Sequence, residues 1–136
     1  MISHVFVAVT DFDKAFKFYN AVLECLGLRV KFIEPERPWA GWERAGHARP
    51  LFLIGEPENG QLANPGNGQM IALLAYDRRH VDQAYKTALE QGGTCEGHPG
   101  LRQHYHPDYY GAYFRDLDGN KIAVACHNAV EVAKLP

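Results

Sequence analysis

Two segments of the chain share one order of apolar and polar positions. HVFVAVTDFDKAFKFYNAVLECLG (4–27) and MIALLAYDRRHVDQAYKTALEQGG (70–93) each begin with an apolar run of strand length, continue with an aspartate and a helix-period segment, and end at glycine. They align without a gap, and several identities fall in register, among them Asp11 with Asp77, Tyr19 with Tyr85, Leu23 with Leu89, and Gly27 with Gly93. Self-similarity on this scale indicates a duplicated structural unit.

Both helix-period segments predict amphipathic helices with capped ends. The apolar face of the first comprises Phe12, Ala15, Phe16, Tyr19, Val22, Leu23 and Leu26, and that of the second comprises Val81, Ala84, Tyr85, Ala88 and Leu89. Thr10 or Asp11 can cap the first helix and Asp77 the second, because a short side chain that carries an oxygen accepts from the unpaired amides of the first turn. Gly27 and Gly92-Gly93 suit the left-handed turn that ends many helices.

Strand-like pieces follow each predicted helix. In the first half they are 28–34, a piece around 40–44, and 49–55; in the second half they are 94–97, 111–116 and 121–127. LDGN (117–120) predicts a hairpin turn, because Asp-Gly readily supplies positive φ angles. The pattern therefore predicts an α+β fold of two tandem βαβββ modules in one domain. Module one spans 1–56, a Gly/Pro/Asn-rich linker 57–68, module two 69–127, and a tail 128–136.

Composition narrows the class of protein. The chain has 136 residues, of which 46% are hydrophobic and 22% charged, so it is large enough for one domain with a full core. A formal charge of −2 does not favour a nucleic-acid or acidic-membrane partner. MISHVFVAV lacks the basic start of a signal peptide, no segment has the length of a membrane span, and three cysteines form no CxxC pair. We expect a soluble, cytoplasmic protein with reduced thiols.

The two-module pattern carries a family resemblance. HVFVAVTD at the start reads H-V-x-V-x-V-x-D, and DLDGNKI (116–122) reads D-x-D-G-N-x-I. With the duplication, these motifs resemble the vicinal oxygen chelate superfamily, which holds glyoxalase I, bleomycin-resistance proteins, fosfomycin-resistance enzymes and extradiol dioxygenases. The resemblance covers roughly 1–127, and HYHPDYYGAYFRDLDGN is similar to small glyoxalase-like members. It implies curved mixed sheets that form a cup, a divalent metal that stabilises an oxyanion, and a homodimer.

The metal ligands of the family can be carried over position by position. The first falls on His4, and the second falls among Leu51, Phe52 and Leu53. The third falls on Met70, the partner of His4 in the internal alignment, and the fourth on Ala123, where the family has glutamate. Only His4 can bind such a metal, and a catalytic site commonly needs three protein ligands. We therefore expect the standard metal site to be largely lost.

A different set of histidines offers an alternative metal site. His104 and His106 are two residues apart, so both point the same way in an extended segment, and Pro107 favours an extended His106. With His4 and His127 they could hold Zn, Ni, Mn or Fe. The other interpretation is that the histidine pair lies in a surface loop and bonds to backbone groups. Under the metal interpretation the protein is a lyase, isomerase or dioxygenase.

Aromatic residues indicate a small-molecule site. They cluster in two segments that we expect at the rim of the cup: Trp39 and Trp42 in module one, and Tyr105, Tyr109, Tyr110 and Tyr113 in module two. Concave aromatic surfaces are typical of ligand pockets, although we expect about half of these residues to serve the core or a dimer interface. The predicted ligand-binding residues are His4, Phe6, Trp39, Trp42, Phe52, Met70, Tyr105, His106, Tyr110, Tyr113 and Ala123. Arg44, Arg102 and Arg115 could offer a guanidinium to an anionic ligand, although a surface salt bridge is the simpler role for Arg115.

These residues lead to three hypotheses of function. The first is a metal-independent protein that binds a small aromatic or apolar ligand in the cup, as in the bleomycin-resistance branch. The second is the metal-dependent enzyme described above, and the third is a non-catalytic interaction module whose cup is a dimer interface. No residue is assigned a catalytic role, because Cys126 and His127 are adjacent and would point to opposite faces of a strand.

Overall fold

The structure is a computed structural model, and it describes residues 1–130. The first half contains β1 (His4–Ala8), α1 (Phe12–Glu24), β2 (Leu28–Glu34), β3 (Trp39–Arg44) and β4 (Leu51–Gly55). The second half contains β5 (Ile71–Leu74), α2 (Arg78–Glu90), β6 (Thr94–Leu101), β7 (Tyr110–Arg115) and β8 (Lys121–Cys126). Of the predicted tail, 131–136 lies outside the described residues.

The strands form two mixed sheets of identical topology. The first sheet has the order β1-β4-β3-β2 and the second β5-β8-β7-β6. In each, the opening strand pairs in parallel with the last strand of its module, and the remaining pairs are antiparallel. A parallel pair requires a crossover, which the helix supplies. The predicted α+β fold of two βαβββ modules is confirmed.

The two aligned aspartates, Asp11 and Asp77, are the N-caps of the two helices. The side chain of Asp11 accepts from the amide of Lys14 at 3.1 Å, and that of Asp77 accepts from the amide of His80 at 3.0 Å. Each bond satisfies one amide of the first turn that has no partner within the helix. Past the helix ends, Gly27 and Gly92 have φ of 79° and 101°, values that a residue with a Cβ rarely adopts.

Contacts between α1 and the β7–β8 hairpin join the two modules. Phe18 packs on Phe114, with ring centroids 6.2 Å apart, and the Tyr19 hydroxyl donates to the buried carboxylate of Asp116 at 2.5 Å. The Asn120 side-chain amide donates to the backbone carbonyl of Ala8 at 2.9 Å. The core therefore runs continuously from one module into the other on the helix side of the sheets. No helix among residues 1–130 is long and apolar enough to cross a membrane.

Candidate functional site

Each sheet has one face against a helix and one face without a helix, which we call the open face. In β1 the side chains of Val5 and Val7 face the helix side, so alternation puts His4 and Phe6 on the open face. In β8, Ile122 and Val124 belong to the core, so Ala123 faces the other way. The open faces are the surfaces on which the cup was predicted.

Each position in one row of paired residues on the first open face has an equivalent position on the second open face. Phe6 pairs with Leu53, Leu53 with Gly41, and Gly41 with Phe32 across the first sheet. The equivalent positions of the second sheet pair in the same way. We call these two sets the first row, which is Phe6, Leu53, Gly41 and Phe32, and the second row, which is Ala72, Ala123, Tyr113 and Gly97.

The two rows have opposite distributions of side-chain size. In the first row three large side chains surround one glycine, and a Cβ added to Gly41 would lie 2.5 Å from Phe32 Cε1 and 2.6 Å from Leu53 Cδ2. In the second row three small residues surround Tyr113. The first row is therefore filled by its own side chains, whereas the second row has one large side chain that its neighbours do not overlie.

A pocket of about 590 Å³ opens at the second row, and we call it the module-two pocket. Its lining joins the open face of β6, β7 and β8 to the segment before β5 and to the β6–β7 connection. The lining residues are Asn67, Gly68, Gln69, Met70, Glu96, Gly97, Arg102, His104, Tyr105, Tyr113, Arg115 and Lys121. Of the predicted ligand-binding residues, Met70, Tyr105 and Tyr113 lie here together.

Tyr105 and Tyr113 line this pocket, and Tyr109 contacts both of them; we call these three residues the tyrosine wall. The rings of Tyr105 and Tyr109 lie 4.9 Å apart, and the hydroxyls of Tyr109 and Tyr113 share a hydrogen bond of 3.1 Å. Burial, followed by this hydrogen bond, raises the pKa of Tyr113, so its hydroxyl stays protonated at neutral pH. The wall therefore offers aromatic surface and a neutral hydroxyl to a ligand.

Three predicted site residues lie on the helix side of the sheets instead. Trp42 is 0% exposed, stacks on Phe16 at 5.4 Å, and donates from Nε1 to Asn20 Oδ1 at 3.1 Å. Phe52 pairs with Trp42 and shares its face. The Tyr110 hydroxyl donates to Asp82 of α2 at 2.7 Å, and burial and this bond raise the pKa of Tyr110 to about 12.

Strand register explains these positions. Because His4 pairs with Leu51 and Phe6 with Leu53, the open face of β4 carries the two leucines and excludes the phenylalanine between them. Trp39 lies three residues before Trp42 in β3, an odd interval, so it faces the open side. There its ring lies 4.8 Å from that of Phe32 and 4.0 Å from the Arg37 guanidinium carbon.

A second cavity, of about 600 Å³, is lined by residues of the first sheet and by β5 of the second, and we call it the seam cavity. Its lining is mainly apolar and includes Trp42 and Phe52 from the helix side of the first sheet, with Met70 at its edge. Ile71 and Leu73 of β5 line the opposite side. Arg44, another predicted guanidinium, lines this cavity and not the module-two pocket.

The residues at the family ligand positions do not fit a divalent metal. Leu51, Leu53, Met70 and Ala123 offer no nitrogen or carboxylate, and His4 shares a hydrogen bond of 2.9 Å with Ser3 Oγ. Across residues 1–130 no group of three or more His, Cys, Asp or Glu side chains is arranged to hold a metal ion. A divalent ion in a protein needs more donors than one imidazole.

Of the four histidines in the alternative metal site, the structure brings two together, His106 and His127. His106 Nε2 and His127 Nδ1 are 2.8 Å apart, the length of a hydrogen bond, and the rings stack with centroids 5.0 Å apart. The Asp108 amide donates to His106 Nδ1 at 3.2 Å, so in the neutral ring His106 Nε2 carries the proton and donates to His127. The two ring nitrogens that face each other are therefore engaged with each other. His104 lines the module-two pocket, and His4 does not.

Six residues that line the module-two pocket are not among the candidates that the sequence indicates: Asn67, Gly68, Gln69, Glu96, Gly97 and Lys121. Gly97 lies opposite Tyr113 because β6 carries a bulge between Cys95 and Gly97, which shifts its register against β7. Lys121 follows the hairpin turn and alternates with Ile122, which points into the core. Because neighbouring side chains of a strand point to opposite faces, a core position for Ile122 predicts that Lys121 lies on the open face. Arg115, which was expected in a salt bridge, pairs with Glu96 at 2.7 Å.

Comparisons with known proteins agree with this architecture. The family model described as Glyoxalase/Bleomycin resistance protein/Dioxygenase superfamily matches residues 1–124. A glyoxalase/bleomycin resistance protein from Albidiferax ferrireducens T118 is 34% identical, with a TM-score of 0.81 over 94% of this chain and 99% of that chain. The hypothetical protein SA1046 from S. aureus is 24% identical, with a TM-score of 0.67 over 93% and 92% of the two chains.

A family enzyme from Burkholderia phytofirmans PsJN is 18% identical, with a TM-score of 0.68 over 93% of this chain and 98% of that chain, and shows the fold alone. No curated protein matches this chain. The family model covers most of the sequence, and the first of these structures is similar over nearly its whole length. The chain belongs to the glyoxalase/bleomycin resistance protein/dioxygenase superfamily.

Proposed function

We propose that this protein binds a small molecule in the module-two pocket without the standard divalent metal of its superfamily. The observation that carries the proposal is the second row, in which Tyr113 stands among small residues beside a pocket of about 590 Å³. Drug-sized ligands occupy clefts of this size, lined by aromatic side chains with a few polar groups. The aromatic or apolar part of the ligand lies against the tyrosine wall.

Exposure of the lining supports this location. Tyr105 is 60% exposed and Met70 44% exposed, although both are large apolar side chains that normally gain from burial. Each removes apolar surface from water when a ligand covers it, at about 25 cal/mol per Å². The protonated Tyr113 hydroxyl and the side chain of Gln69 can orient the ligand by hydrogen bonding.

The seam cavity is a second location for the same activity. Its mainly apolar lining suits a ligand without polar groups, and Trp42, Phe52 and Met70 line it. A ligand there would touch Ile71 and Leu73, which do not line the module-two pocket. The two locations therefore give different sets of perturbed residues in a binding experiment.

A titration followed by NMR tests the proposal. Neutral aromatic fragments such as indole and benzamide should shift the ring signals of Tyr105 and Tyr113 and the methyl signal of Met70. Tyr113→Ala should weaken binding about tenfold or more, as expected for a buried aromatic contact, whereas the control Tyr110→Phe should bind normally. Shifts confined to Ile71 and Leu73 would move the site to the seam cavity, and the absence of any fragment binding would refute the proposal.

Metal dependence is a separate question with its own measurement. The alternative activity, a lyase, isomerase or dioxygenase reaction at His4 with other histidines, requires stoichiometric metal. Protein purified without a histidine tag should show less than about one tenth of an equivalent of Zn, Ni, Mn or Fe and no change of melting temperature with EDTA, because only a ligand that binds the folded state shifts it. Stoichiometric metal that His4→Ala abolishes would refute metal-free binding and make the metal-dependent enzyme the leading hypothesis.

We also expect a homodimer. β1 and β5 are edge strands that carry exposed apolar side chains, among them Phe6 (48% exposed) and Leu74 (60% exposed). Exposed edges of this kind are usually covered by a partner. Sedimentation velocity at micromolar concentration should give twice the mass of 15.3 kDa. A monomer at that concentration would rule the dimer out and leave the module-two pocket, which lies within one chain, unaffected.

A further inference from the structure

Positive charge exceeds negative charge in the module-two pocket. Its lining contains three basic side chains, Arg102, Arg115 and Lys121, and one carboxylate, Glu96. Glu96 is already committed, because it accepts from Arg115 Nε at 2.7 Å. Among residues 1–130 neither Arg102 nor Lys121 forms an ion pair with a carboxylate.

Hydrogen bonds to neutral backbone carbonyls hold the Arg102 side chain in place. Its two terminal nitrogens donate to the backbone carbonyls of Gly100 at 2.9 Å and His98 at 2.7 Å, and the side chain is half-buried. These bonds orient the planar guanidinium and leave its positive charge uncompensated. A guanidinium held in this way can offer its remaining N–H groups to an anion with little further loss of conformational freedom.

Glycines make room for this arrangement. A Cβ on Gly97 would lie 3.3 Å from one guanidinium nitrogen of Arg102, and a Cβ on Gly100 would lie 3.3 Å from the other. Both distances are tighter than ordinary van der Waals contact. A Cβ at either position would require the guanidinium to shift by a few tenths of an ångström, so glycine lets the guanidinium lie close to β6.

Lys121 approaches the same aromatic ring. Its Nζ lies 5.6 Å from the ring centroid of Tyr113, and the Arg102 guanidinium carbon lies 5.4 Å from that centroid. Both distances are within the range of cation–π attraction, which a ring provides without neutralising the charge. Two cations near one ring, neither of them paired with a carboxylate in the described part of the chain, give the pocket a positive potential that attracts an anion.

We infer that the module-two pocket selects organic anions, in which a carboxylate or phosphate group is bound by Arg102 and Lys121 and an attached planar or apolar group lies against the tyrosine wall. The inference rests on the proposed function, since it names the class of ligand for the same pocket. Carboxylate and phosphate share the chemistry that a guanidinium and an ammonium recognise. The test therefore includes one probe of each.

Isothermal titration in a buffer free of phosphate compares three probes of similar shape: benzoate, phenyl phosphate and neutral benzamide. At least one anion should bind about tenfold or more tightly than benzamide, because a hydrogen bond to a charged group stabilises more than one to a neutral group. The tighter anion identifies the preferred head group. Its affinity should fall as salt is added, whereas that of benzamide should not.

Substitutions of the two basic residues test whether they bind the anion. Arg102→Gln and Lys121→Gln should each weaken the better anion about fivefold or more and leave benzamide unchanged, since each removes one charge from the pocket. Arg37→Gln is the matched control, because Arg37 lies over Trp39 on the first sheet in a similar cation–π contact. It should bind all three probes as the parent does. Circular dichroism establishes that each variant is folded, and Lys121, at the start of β8, provides the test if Arg102→Gln does not fold.

The outcomes separate this inference from the proposed function. Equal affinity for benzoate, phenyl phosphate and benzamide, or anion binding that survives both substitutions, would overturn the selection of anions and leave a neutral-ligand site at the tyrosine wall. Failure of all three probes, together with the neutral fragments, would remove the site itself. Anion binding lost in both variants and retained in Arg37→Gln is the result that we expect.

Discussion

The two sheets of this protein have the same strand order and the same crossover, yet their open faces are different surfaces. The first row closes on Gly41 with Phe6, Leu53 and Phe32, so its own side chains fill the space above the sheet. The second row leaves Tyr113 among small residues, and cationic groups surround it. The two modules share one backbone fold. The distribution of large and small residues within each row makes the first open face packed and leaves a pocket on the second.

The same divergence occurs at aligned positions of the helices. Tyr19 and Tyr85 fall in register in the two repeats. Tyr19 reaches across to Asp116 in the other module, whereas Tyr85 bonds to His98 Nδ1 at 3.1 Å within its own module. One copy of the residue therefore joins the modules and the other serves its own sheet. The comparison of the modules can be tested by substituting equivalent or neighbouring positions in pairs.

The largest expected effect distinguishes the two faces of β3. Trp42→Ala should lower the free energy of unfolding by about 3–5 kcal/mol, because it empties a fully buried site and leaves Asn20 without its partner. Trp39→Ala, on the open face, should cost about 1 kcal/mol. Urea denaturation measures both. Similar losses would mean that the open face of the first sheet contributes to stability as much as the core does.

The next effect concerns the contact between modules. Tyr19→Phe should cost about 1.5–3 kcal/mol, the usual range for a hydrogen bond to a charged group, because the Asp116 carboxylate loses a donor. Tyr85→Phe is the matched control and should cost about 1 kcal/mol, the typical value for a neutral hydrogen bond. Equal losses in denaturation would show that the bond between modules has no special weight.

Alkaline pH sharpens this comparison. Burial first, and then the neighbouring Asp116 carboxylate, hold the pKa of Tyr19 well above its ordinary value. Above about pH 10 the tyrosine ionises in the unfolded chain and stays protonated in the folded one. The stabilisation is therefore complete below that pH and is lost as the pH rises towards the folded-state pKa. Unfolding free energies measured from pH 8 upwards should fall less steeply for Tyr19→Phe, and an unchanged slope would contradict the assignment.

A pair of glycines tests the rows directly. Gly41→Ala should cost about 1–3 kcal/mol, since its Cβ would overlap Phe32 and Leu53 in a filled space. In Gly97→Ala the new Cβ would lie 2.9 Å from Tyr113 Cδ2, beside an open pocket into which that ring can move. Its cost should stay below about 1 kcal/mol, while affinity for benzoate falls. A large loss of stability in Gly97→Ala would mean that the second row is packed like the first.

The last pair of substitutions tests the helix caps, which the two modules have in common. Asp11→Ala and Asp77→Ala should each cost about 1 kcal/mol, because each removes a cap from a helix of 13 residues. Burial opposes ionisation of Asp77, but hydrogen bonds from the His80 amide and from Arg79 outweigh it and lower its pKa. Its contribution is therefore present above about pH 4 and is lost as the pH falls through the lower folded-state pKa. Melting temperatures measured across that range should converge for Asp77→Ala and the parent.

Sequence reasoning reached the fold because repeated local signals agree. The aspartate, the helix period and the glycine recur in the same order, and each depends on contacts within a few residues. Reasoning about the site reached less far. Tyr105, Tyr113 and Met70 line one pocket, but Trp42, Phe52 and Tyr110 face the helices. In a strand, the face of a side chain depends on the register with its neighbour, and one residue of slip reverses it.

The sequence by itself determined the duplication, the order of helices and strands, the helix caps, and the replacement of metal-binding residue types by Met70 and Ala123. These properties reside in residue identity and short-range periodicity. Tertiary structure alone decided that Tyr113 lies opposite Gly97, that Arg102 and Lys121 meet at one ring, and that Tyr19 bonds to the other module. Such contacts join residues distant in the chain, and their pairing depends on bulges and sheet register that no local pattern encodes.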